Sequence, residues 1–427
     1  MTSILLKNCA VITLAGPIHD SGFVLIEGDR IAAVGPLSQA PAGADTVIDA
    51  PQMAALPGLV NAHTHLSQSF VRGLADEKPL AAWLREVIWP VQAAMTPEDV
   101  YLATLLGLVE NLTCGVTALT EHHKITTSPA HTDAVLQAAS EIGLGFTLAY
   151  GWVDLGSGAQ PTDTILAELD RLHAEYHGDG LQIAVGPMAP WRCSDALMRE
   201  TFARAEVWDA PFHLHTAETR AEVDLMLARN GLRHVEWLNE LSVLAPRTQL
   251  VHSVWISEHE QMLIERSGAR VVHCATSNMI LGSGVAPIPA LRARGIPISL
   301  GADGSGSNNN QDMVELLKVT ALLAKVGTLD ANALNPADVL RMATAGTLEA
   351  GARADVILID LNTPRSQPVH NAASAVVYTA SGADVDTVIV GGRVLLRNKQ
   401  VIGVDVAALL ERCRVAAKDL MRRAGVV

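Results

Sequence analysis

Short apolar runs alternate with amphipathic helical segments from Leu59 onward, and this alternation constrains the fold more than any other feature. Such alternation is typical of βα units that build a parallel sheet. We count eight runs, which is the number of strands in a closed (β/α)8 barrel. The runs lie near 59–63, 115–120, 146–150, 182–186, 211–215, 248–252, 270–273 and 297–303. The sequence therefore predicts an α/β fold with a TIM-like barrel at its centre.

The two ends of the chain show a different pattern, in which polar and apolar residues alternate as they do in half-buried strands. Gly28-Asp29 supplies a hairpin turn near the N-terminus. Strand patterning returns at 354–361 and 385–395, and an amphipathic helix follows near 405–424. The sequence thus predicts antiparallel strands at both ends of the chain.

Composition and charge restrict the class of protein. Of the 427 residues, 49% are hydrophobic and 18% are charged, which is typical of a well-buried globular enzyme. The net charge of -14 and the scattered basic residues predict no nucleic-acid partner, because the chain repels phosphate backbones. No apolar run approaches the roughly 18 residues of a membrane span, and the N-terminus lacks a signal-peptide layout. We therefore predict no membrane association and a cytoplasmic location.

Polar side chains stand at the ends of several predicted strands. His63 and His65 follow the first strand, and residues i and i+2 of an extended chain point the same way. His213 and His215 end the fifth strand in the same manner, and Asp303 ends the eighth. The carboxyl ends of barrel strands form one catalytic face, where neutral imidazoles are favoured ligands for zinc and ferrous iron. The pattern predicts a metal site there, although spacing alone does not choose between His213 and His215.

The order of these motifs, His-x-His, His-x-x-Glu, His and then Asp, resembles the amidohydrolase superfamily, specifically its mononuclear deaminase branch. The stretches that carry the resemblance are 56–65, 215–219, 277–278 and 301–305. The resemblance implies a small discontinuous β-sandwich from 1–56 and 351–427 beside a barrel over 57–350. The terminal helix belongs to segment 351–427.

The resemblance also implies one divalent metal, with zinc expected and iron as the alternative. Binuclear members carry a carboxylated lysine at the end of the fourth strand, and this chain has no lysine there. His213 is then the supporting residue rather than a ligand. The implied ligands are His63, His65, His215 and Asp303.

Three residues are assigned catalytic roles by the same resemblance. Glu218 would move a proton from water to the ring and to the leaving amine, unless it is only an acid at a helix N-terminus. His252 would hydrogen-bond the attacking oxygen, unless it is a buried structural histidine. Asp303 would act beside the metal, and its alternative is a helix cap near Gly304.

One departure from the family concerns the chain after Gly346. The family usually carries an additional helix-like segment between this residue and Thr347, and here the two sides are fused. The departure lies where the last barrel helix meets the sandwich, so it affects the docking of the two parts rather than the metal ligands. Two explanations are open: a deletion in this protein, or a disordered stretch that is missing from the sequence.

Substrate-binding residues are expected in the loops that follow the strands. Aromatic side chains there could sandwich a flat ring, although a tryptophan is more often simply part of the packing. The candidates are Gln68, Arg72, Trp83, His122, His123, Trp152, Met188 and Trp255.

We predict a metal-dependent hydrolytic deaminase that removes an exocyclic amino group from a nitrogen heterocycle, such as an oxopurine, a pterin or an s-triazine. The products are ammonia and a ring carbonyl. The alternative is a methylthioadenosine or adenosylhomocysteine deaminase: residues 66–90 resemble that group, but Met188 replaces a histidine of its members.

A catalytically silent barrel that acts as a scaffold is the alternative of a different class. Such relatives lose metal ligands, whereas this chain keeps all of them. The expected partners are the heterocyclic amine and water, and the resemblance implies a homodimer.

Overall fold

The computed structural model describes residues 2–74, 76–125, 127–178 and 180–426. The strands of the N-terminal segment are β1 (Ser3–Val11), β2 (His19–Glu27), β3 (Arg30–Pro36), β4 (Thr46–Asp49) and β5 (Met53–Pro57). The central strands are β6 (Leu59–Thr64), β7 (Val116–His123), β8 (Gly145–Trp152), β9 (Leu181–Pro187), β10 (Phe212–Thr216), β11 (Thr248–His252), β12 (Arg270–His273) and β13 (Ile298–Leu300). The last strands are β14 (Val356–Asp360), β15 (Val385–Val390), β16 (Arg393–Arg397) and β17 (Gln400–Val401).

Helices fill most of the connections between the central strands. The α-helices are α1 (Leu80–Trp83), α2 (Trp89–Ala94), α3 (Pro97–Thr113), α4 (Pro129–Ile142), α5 (Thr162–Tyr176), α6 (Asp195–Val207), α7 (Arg220–Asn230), α8 (His234–Glu240), α9 (Glu258–Ser267), α10 (Ala275–Ile280), α11 (Ile288–Ala293), α12 (Ser305–Asn308), α13 (Met313–Thr328), α14 (Pro336–Ala343), α15 (Ala372–Tyr378) and α16 (Val406–Ala424). A π-helical turn, Leu84–Ile88, joins α1 to α2. Short 3-10 helices cover Leu37–Gln39, Leu66–Phe70, Pro190–Arg192 and Gly382–Asp384.

Strands β6 to β13 form one parallel sheet in sequential order. The sheet curls into a nearly closed barrel, and the two outer strands meet where the amide of Asp303 donates to the carbonyl of His63 at 2.9 Å. All eight predicted strands are present, and the predicted α/β barrel is confirmed. The last strand is shorter than expected, because the chain turns into the left-handed region at Asp303, with a φ of +62°.

The strands from both ends of the chain share one mixed sheet of nine strands. Strand β14 pairs antiparallel with β5, so the N-terminal and C-terminal segments are joined by main-chain hydrogen bonds. Side chains of this sheet form a buried cluster of their own, which includes Leu6, Val24, Ile26, Val356 and Leu358. The domain boundaries at 56 and 350 remain predictions, and they fall close to the end of β5 and the start of β14.

The short connection after α14 leads directly into the mixed sheet. Thr344 forms an isolated antiparallel bridge with Leu59 at the start of the barrel. Leu348 is buried, and its amide donates to the carbonyl of Thr13 at 2.9 Å. The fused segment between Gly346 and Thr347 therefore contacts both parts of the protein.

The terminal helix α16 lies against α2 and α3, as the amphipathic pattern near 405–424 predicts. Leu409, Cys413 and Leu420 are buried on one face. On its edge, Arg423 contacts the carboxylate of Asp99 at 2.7 Å. Within the described ranges, no helix combines the length and the apolar character that a membrane span requires.

Candidate active site

Two histidine rings face each other at the carboxyl end of the barrel. His65 follows β6 and His215 lies in β10, and their Nε2 atoms are 3.2 Å apart. Nδ1 of His65 contacts the carbonyl of His122 at 2.6 Å, and Nδ1 of His215 contacts that of Met188 at 2.6 Å. Because a carbonyl only accepts, each Nδ1 carries the proton. Each Nε2 therefore presents a lone pair to the other ring.

His63 is oriented by a chain of two hydrogen bonds. Its Nδ1 lies 2.8 Å from Nε2 of His213, whose own Nδ1 lies 2.7 Å from the side-chain oxygen of Gln249. Burial lowers the pKa of His213 to about 4, so this ring is neutral and donates to Gln249. His63 must then donate to His213, and its buried Nε2 has no hydrogen-bond partner among the described residues.

Asp303 approaches these rings from the end of β13. Its Oδ1 lies 3.4 Å from Nε2 of His63 and 3.5 Å from Nε2 of His65. Its Oδ2 accepts from the hydroxyls of Ser277 at 2.6 Å and Ser307 at 2.9 Å. Burial raises the pKa of Asp303, but the close approach of His63 and the nearby rings of His65 and His252 outweigh it, so this pKa stays well below its usual value.

These groups form a donor set that suits a divalent cation. Nitrogens of His63, His65 and His215 lie within 4.8 Å of one another, and so do ligand atoms of His63, His252 and Asp303. Burial lowers the pKa of His63 and His215 well below the usual value, which keeps both rings neutral. Neutral imidazole nitrogens with one carboxylate are typical ligands of zinc and ferrous iron. A cation would also satisfy the lone pairs that now face one another.

Glu218 lies just beyond β10 and is only 4% exposed. Its Oε1 accepts from the hydroxyl of Ser283 at 3.4 Å, and its Oε2 lies 3.6 Å from Nε2 of His252. Burial, followed by the negative charges of Glu222 and Asp303, raises the pKa of Glu218 well above the usual value. The carboxyl is therefore suited to hold a proton near neutral pH and to transfer it.

His252 ends β11 in the left-handed region, with a φ of +68°. Its Nδ1 lies 3.0 Å from the side-chain oxygen of Asn278, to which it donates. Burial lowers the pKa of His252, so the ring is neutral and its Nε2 can accept a hydrogen bond. Non-glycine residues in this backbone region often mark functional sites.

A pocket opens above these groups. Its floor contains His65, His215, Glu218, His252 and Asp303. Apolar and aromatic side chains form most of its walls. The wall residues include Leu80, Trp83, Leu84, Ile88, Trp89, Met188, Trp191 and Leu281.

Three of the predicted substrate-binding residues line this pocket. They are Gln68, Trp83 and Met188. The indole nitrogen of Trp83 donates to the carbonyl of Gly306 at 2.8 Å, which fixes the ring in the wall. The side-chain oxygen of Gln68 is buried without a hydrogen-bond partner among the described residues, so it is available to a ligand.

The side chains of three other candidates contact other residues of the protein and do not line the pocket. Arg72 donates to Glu110 at 2.5 Å. Trp152 is fully buried in the hydrophobic core. Trp255 is 39% exposed, and its indole nitrogen donates to the carbonyl of Ser283 at 2.7 Å. The substrate-binding role of these three residues stays a prediction.

The two histidines at the end of β7 are fully buried behind the donor set rather than in the pocket wall. The ring of His122 stacks on His215, with centroids 4.9 Å apart, and its Nε2 contacts the carbonyl of Gly186 at 3.0 Å. Nε2 of His123 contacts the carbonyl of Ile125 at 2.8 Å. His122 therefore supports a ring of the donor set, and His123 stabilises its own loop.

Several pocket residues had no predicted role. Lys124 directly follows the two histidines of β7, and Arg192 follows Trp191, so their positions after strands were the available signal. Glu222 lines the wall and accepts from the indole of Trp191 at 3.0 Å. Ser283 comes from a loop that carries no motif, and its contact with Glu218 arises only from the fold.

Comparison with known proteins identifies relatives along the whole chain. A 5'-deoxyadenosine deaminase of Methanothermobacter thermautotrophicus is 39% identical over 93% of this chain and 95% of its own. A 5-methylthioadenosine/S-adenosylhomocysteine deaminase of Moorella thermoacetica is 37% identical over 95% and 96%. A zinc-bound crystal structure of an adenosine deaminase from Xanthomonas campestris superposes with a TM-score of 0.93, at 31% identity and 98% coverage of both chains.

These relatives confirm the predicted class of enzyme, a hydrolytic deaminase that acts on a heterocycle. The sequence profile of the amidohydrolase family matches residues 54–395. This span contains the whole barrel and every residue of the donor set. The chain therefore belongs to the amidohydrolase family.

Proposed function

We propose that the protein deaminates an adenine nucleoside, with release of ammonia and formation of a ring carbonyl. The observation that carries the proposal is the position of Glu218, a buried carboxyl with a raised pKa, beside the donor set at the floor of a largely apolar pocket. The 5'-deoxyadenosine and methylthioadenosine deaminases support the choice of a nucleoside.

The proposed ligands of a single divalent cation are His63, His65, His215 and Asp303. Their facing lone pairs and the low pKa of Asp303 support this assignment. Zinc is the proposed ion because a structural relative binds it, and iron is the alternative. When bound, such an ion makes water a better nucleophile at neutral pH.

The protein side chains would then transfer protons and orient the attacking water. Glu218 would take a proton from water and deliver it to the ring nitrogen beside the amine-bearing carbon, and then to the leaving amine. His252, held by Asn278, would accept a hydrogen bond from the attacking water through Nε2. The carboxylate of Asp303, fixed by two serines, would orient the same water.

The walls of the pocket suit a flat ring. Trp83 and Trp89 present aromatic surface, and Met188 and Leu281 add apolar contact near the donor set. Burial of a purine between such side chains stabilises binding without directed polar contacts. Gln68 is the proposed hydrogen-bond partner of the ring.

The test is ammonia release from a panel of adenine nucleosides, with a chelated sample as control. Glu218→Gln should keep the metal and lose at least about 100-fold in kcat, since general acid-base catalysis contributes that much or more. Glu206→Gln, an exposed change on α6, is the matched control and should keep full activity. Full turnover by Glu218→Gln would remove this residue from the mechanism.

A free amino heterocycle, such as an oxopurine, a pterin or an s-triazine, is the second candidate substrate. The observation in its favour is Met188, because a thioether offers a sugar hydroxyl little hydrogen bonding. The same ammonia assay separates the candidates. Turnover of a free base without turnover of nucleosides would select the second candidate, and a metal-loaded protein with neither activity would indicate a silent scaffold.

We also propose a cytoplasmic location, which the sequence predicts, and a homodimer, which the family resemblance implies. Light scattering coupled to size-exclusion chromatography would test the homodimer, for which a mass of about 90 kDa is expected from the 45.2 kDa chain.

A further inference from the structure

A second cleft adjoins the catalytic pocket on the side away from the donor set. The two share Trp89, Gln92, Lys124 and Arg192, so a ligand could extend from one into the other. We call this second space the outer cleft. Its other lining residues are neutral, namely Ala93, Ile125, Thr127, Ser157, Gly158 and Gln160.

Two cationic side chains lie at the junction of the pocket and the outer cleft. Lys124 is partly buried and forms no hydrogen bond or ion pair with the described residues. Arg192 is 8% exposed, and its guanidinium donates to the carbonyl of Ser157. The same guanidinium lies 5.3 Å from the ring centroid of Trp89 and 5.5 Å from that of Trp191. Arg192 is therefore held in place without a carboxylate partner among the described residues.

The charges of these two groups are uncompensated in a strongly acidic protein. The chain has a net charge of -14, and partly buried arginines elsewhere, such as Arg171 and Arg233, contact carboxylates. Burial, with a contribution from Arg192, lowers the pKa of Lys124 to about 8, which shows the cost of holding this cation there. A site that keeps two adjacent cations at such a cost is suited to an anionic ligand.

We propose that the substrate carries a phosphate monoester, which Lys124 and Arg192 bind in the outer cleft while its amino-bearing ring occupies the catalytic pocket. This inference rests on the proposed function and specifies its substrate class. A phosphate monoester is a dianion near neutral pH, so it matches both cations. The guanidinium can donate two parallel hydrogen bonds to phosphate, and the ammonium adds a point charge.

The absence of acidic lining in the described part of the outer cleft favours phosphate over an amino acid group. The amino acid of adenosylhomocysteine carries a carboxylate together with an ammonium. Its carboxylate could reach Arg192, but the ammonium would meet Lys124 and no acidic side chain of this cleft. A phosphorylated adenine nucleoside, of which AMP is the simplest, avoids this repulsion.

The experiment compares ammonia release from AMP, adenosine and S-adenosylhomocysteine by the metal-loaded protein. We expect kcat/KM for AMP to exceed that for adenosine at least about 100-fold, because each of the two cations should contribute about tenfold or more through charge-assisted hydrogen bonds. Lys124→Met and Arg192→Met should each reduce this ratio about tenfold or more, whereas Arg192→Lys should restore part of it. Lys318→Met, an exposed change on α13, is the matched control and should leave the ratio unchanged.

The outcomes separate this inference from the proposed function. Turnover of adenosine with no preference for AMP overturns the phosphate site but leaves the deaminase proposal in place. A preference for S-adenosylhomocysteine over AMP has the same two consequences. An equal loss on both substrates in Lys124→Met also overturns it. If no nucleoside reacts, the binding of AMP is measured by calorimetry. The phosphate site is supported if the natural protein binds AMP and Lys124→Met does not. It is refuted if the natural protein does not bind AMP.

Discussion

Nε2 of His65 lies 3.2 Å from Nε2 of His215, and both rings donate from Nδ1 to a main-chain carbonyl. Neither Nε2 can therefore donate to the other. Two facing lone pairs repel, and the repulsion is relieved when a cation binds between them. This relationship links the metal site to the stability of the folded protein, because the rings are held in place by β6, β7, β10 and the residue that follows β9.

Removal of the metal should therefore destabilise the protein. A ligand at about 1,000 times its dissociation constant adds about 4 kcal/mol to the free energy of unfolding. We expect chelation to lower Tm by several degrees and zinc to restore it, as measured by differential scanning calorimetry.

His215→Asn should lose the bound metal by elemental analysis and show the low Tm without chelator. His370→Asn, which changes an exposed histidine far along the chain, should keep both the metal and the Tm of the natural protein. An unchanged Tm on complete chelation would contradict a metal held by this donor set.

Ser283 and Trp255 should affect turnover through Glu218 rather than through substrate binding. Ser283→Ala removes the hydroxyl that donates to Glu218, and Trp255→Phe removes the bond that fixes the Ser283 carbonyl. One hydrogen bond is worth about 1 kcal/mol, so we expect kcat to fall roughly fivefold in Ser283→Ala and less in Trp255→Phe.

The measurement is steady-state kinetics on the best substrate of the panel. KM should stay the same in both variants, and Ser140→Ala on the exposed side of α4 should change neither constant. A large rise in KM with constant kcat would instead return Trp255 to the substrate-binding role that its sequence position suggests.

Local patterns predict the barrel and place polar residues at the carboxyl ends of its strands, whereas the choice of His215 over His213 depends on the family resemblance and stays a prediction. Each barrel strand is a short apolar run, and His63 and His65 share a face through the two-residue period of a strand. The end of β13 was less predictable. Beyond the end of this strand, the amide of Ala302 donates to the side chain of Asn61 at 2.9 Å, a contact between residues 241 positions apart.

The pocket walls were harder to predict, since they depend on which way each loop turns. Trp83 and Trp152 both follow barrel strands, yet the first lines the pocket and the second lies in the core. Lys124 and Arg192 meet only after two loops that are far apart in sequence fold together. Their positions after barrel strands are the only local signal that distinguishes these two residues from ordinary surface cations.

Trp152 should contribute to stability rather than to recognition. Its side chain is fully buried, so Trp152→Ala would leave a large cavity in the core. Changes of this kind cost about 3–5 kcal/mol. We expect a lower urea midpoint with an unchanged m-value, whereas Trp255→Ala, at a partly exposed position, should cost much less. Equal midpoints for the two variants would refute this assignment.

Acid should destabilise the protein in part through His234. This side chain is buried at the start of α8, and burial lowers its pKa from 6.5 to about 4. Between these two pKa values His234 is protonated in the unfolded state and neutral in the folded state. The stability that is present above pH 6.5 is therefore lost as the pH falls toward 4. Between pH 6.5 and pH 5 this single histidine should cost about 2 kcal/mol.

The measurement is the free energy of unfolding in urea at several pH values from 7.5 to 5. His234→Gln should show a shallower loss of stability with acid, whatever its stability at pH 7.5, because glutamine does not titrate. His370→Gln, at an exposed position, should follow the natural protein. If the slopes of all three proteins coincide, His234 is protonated in the folded state, and its burial does not oppose the charge.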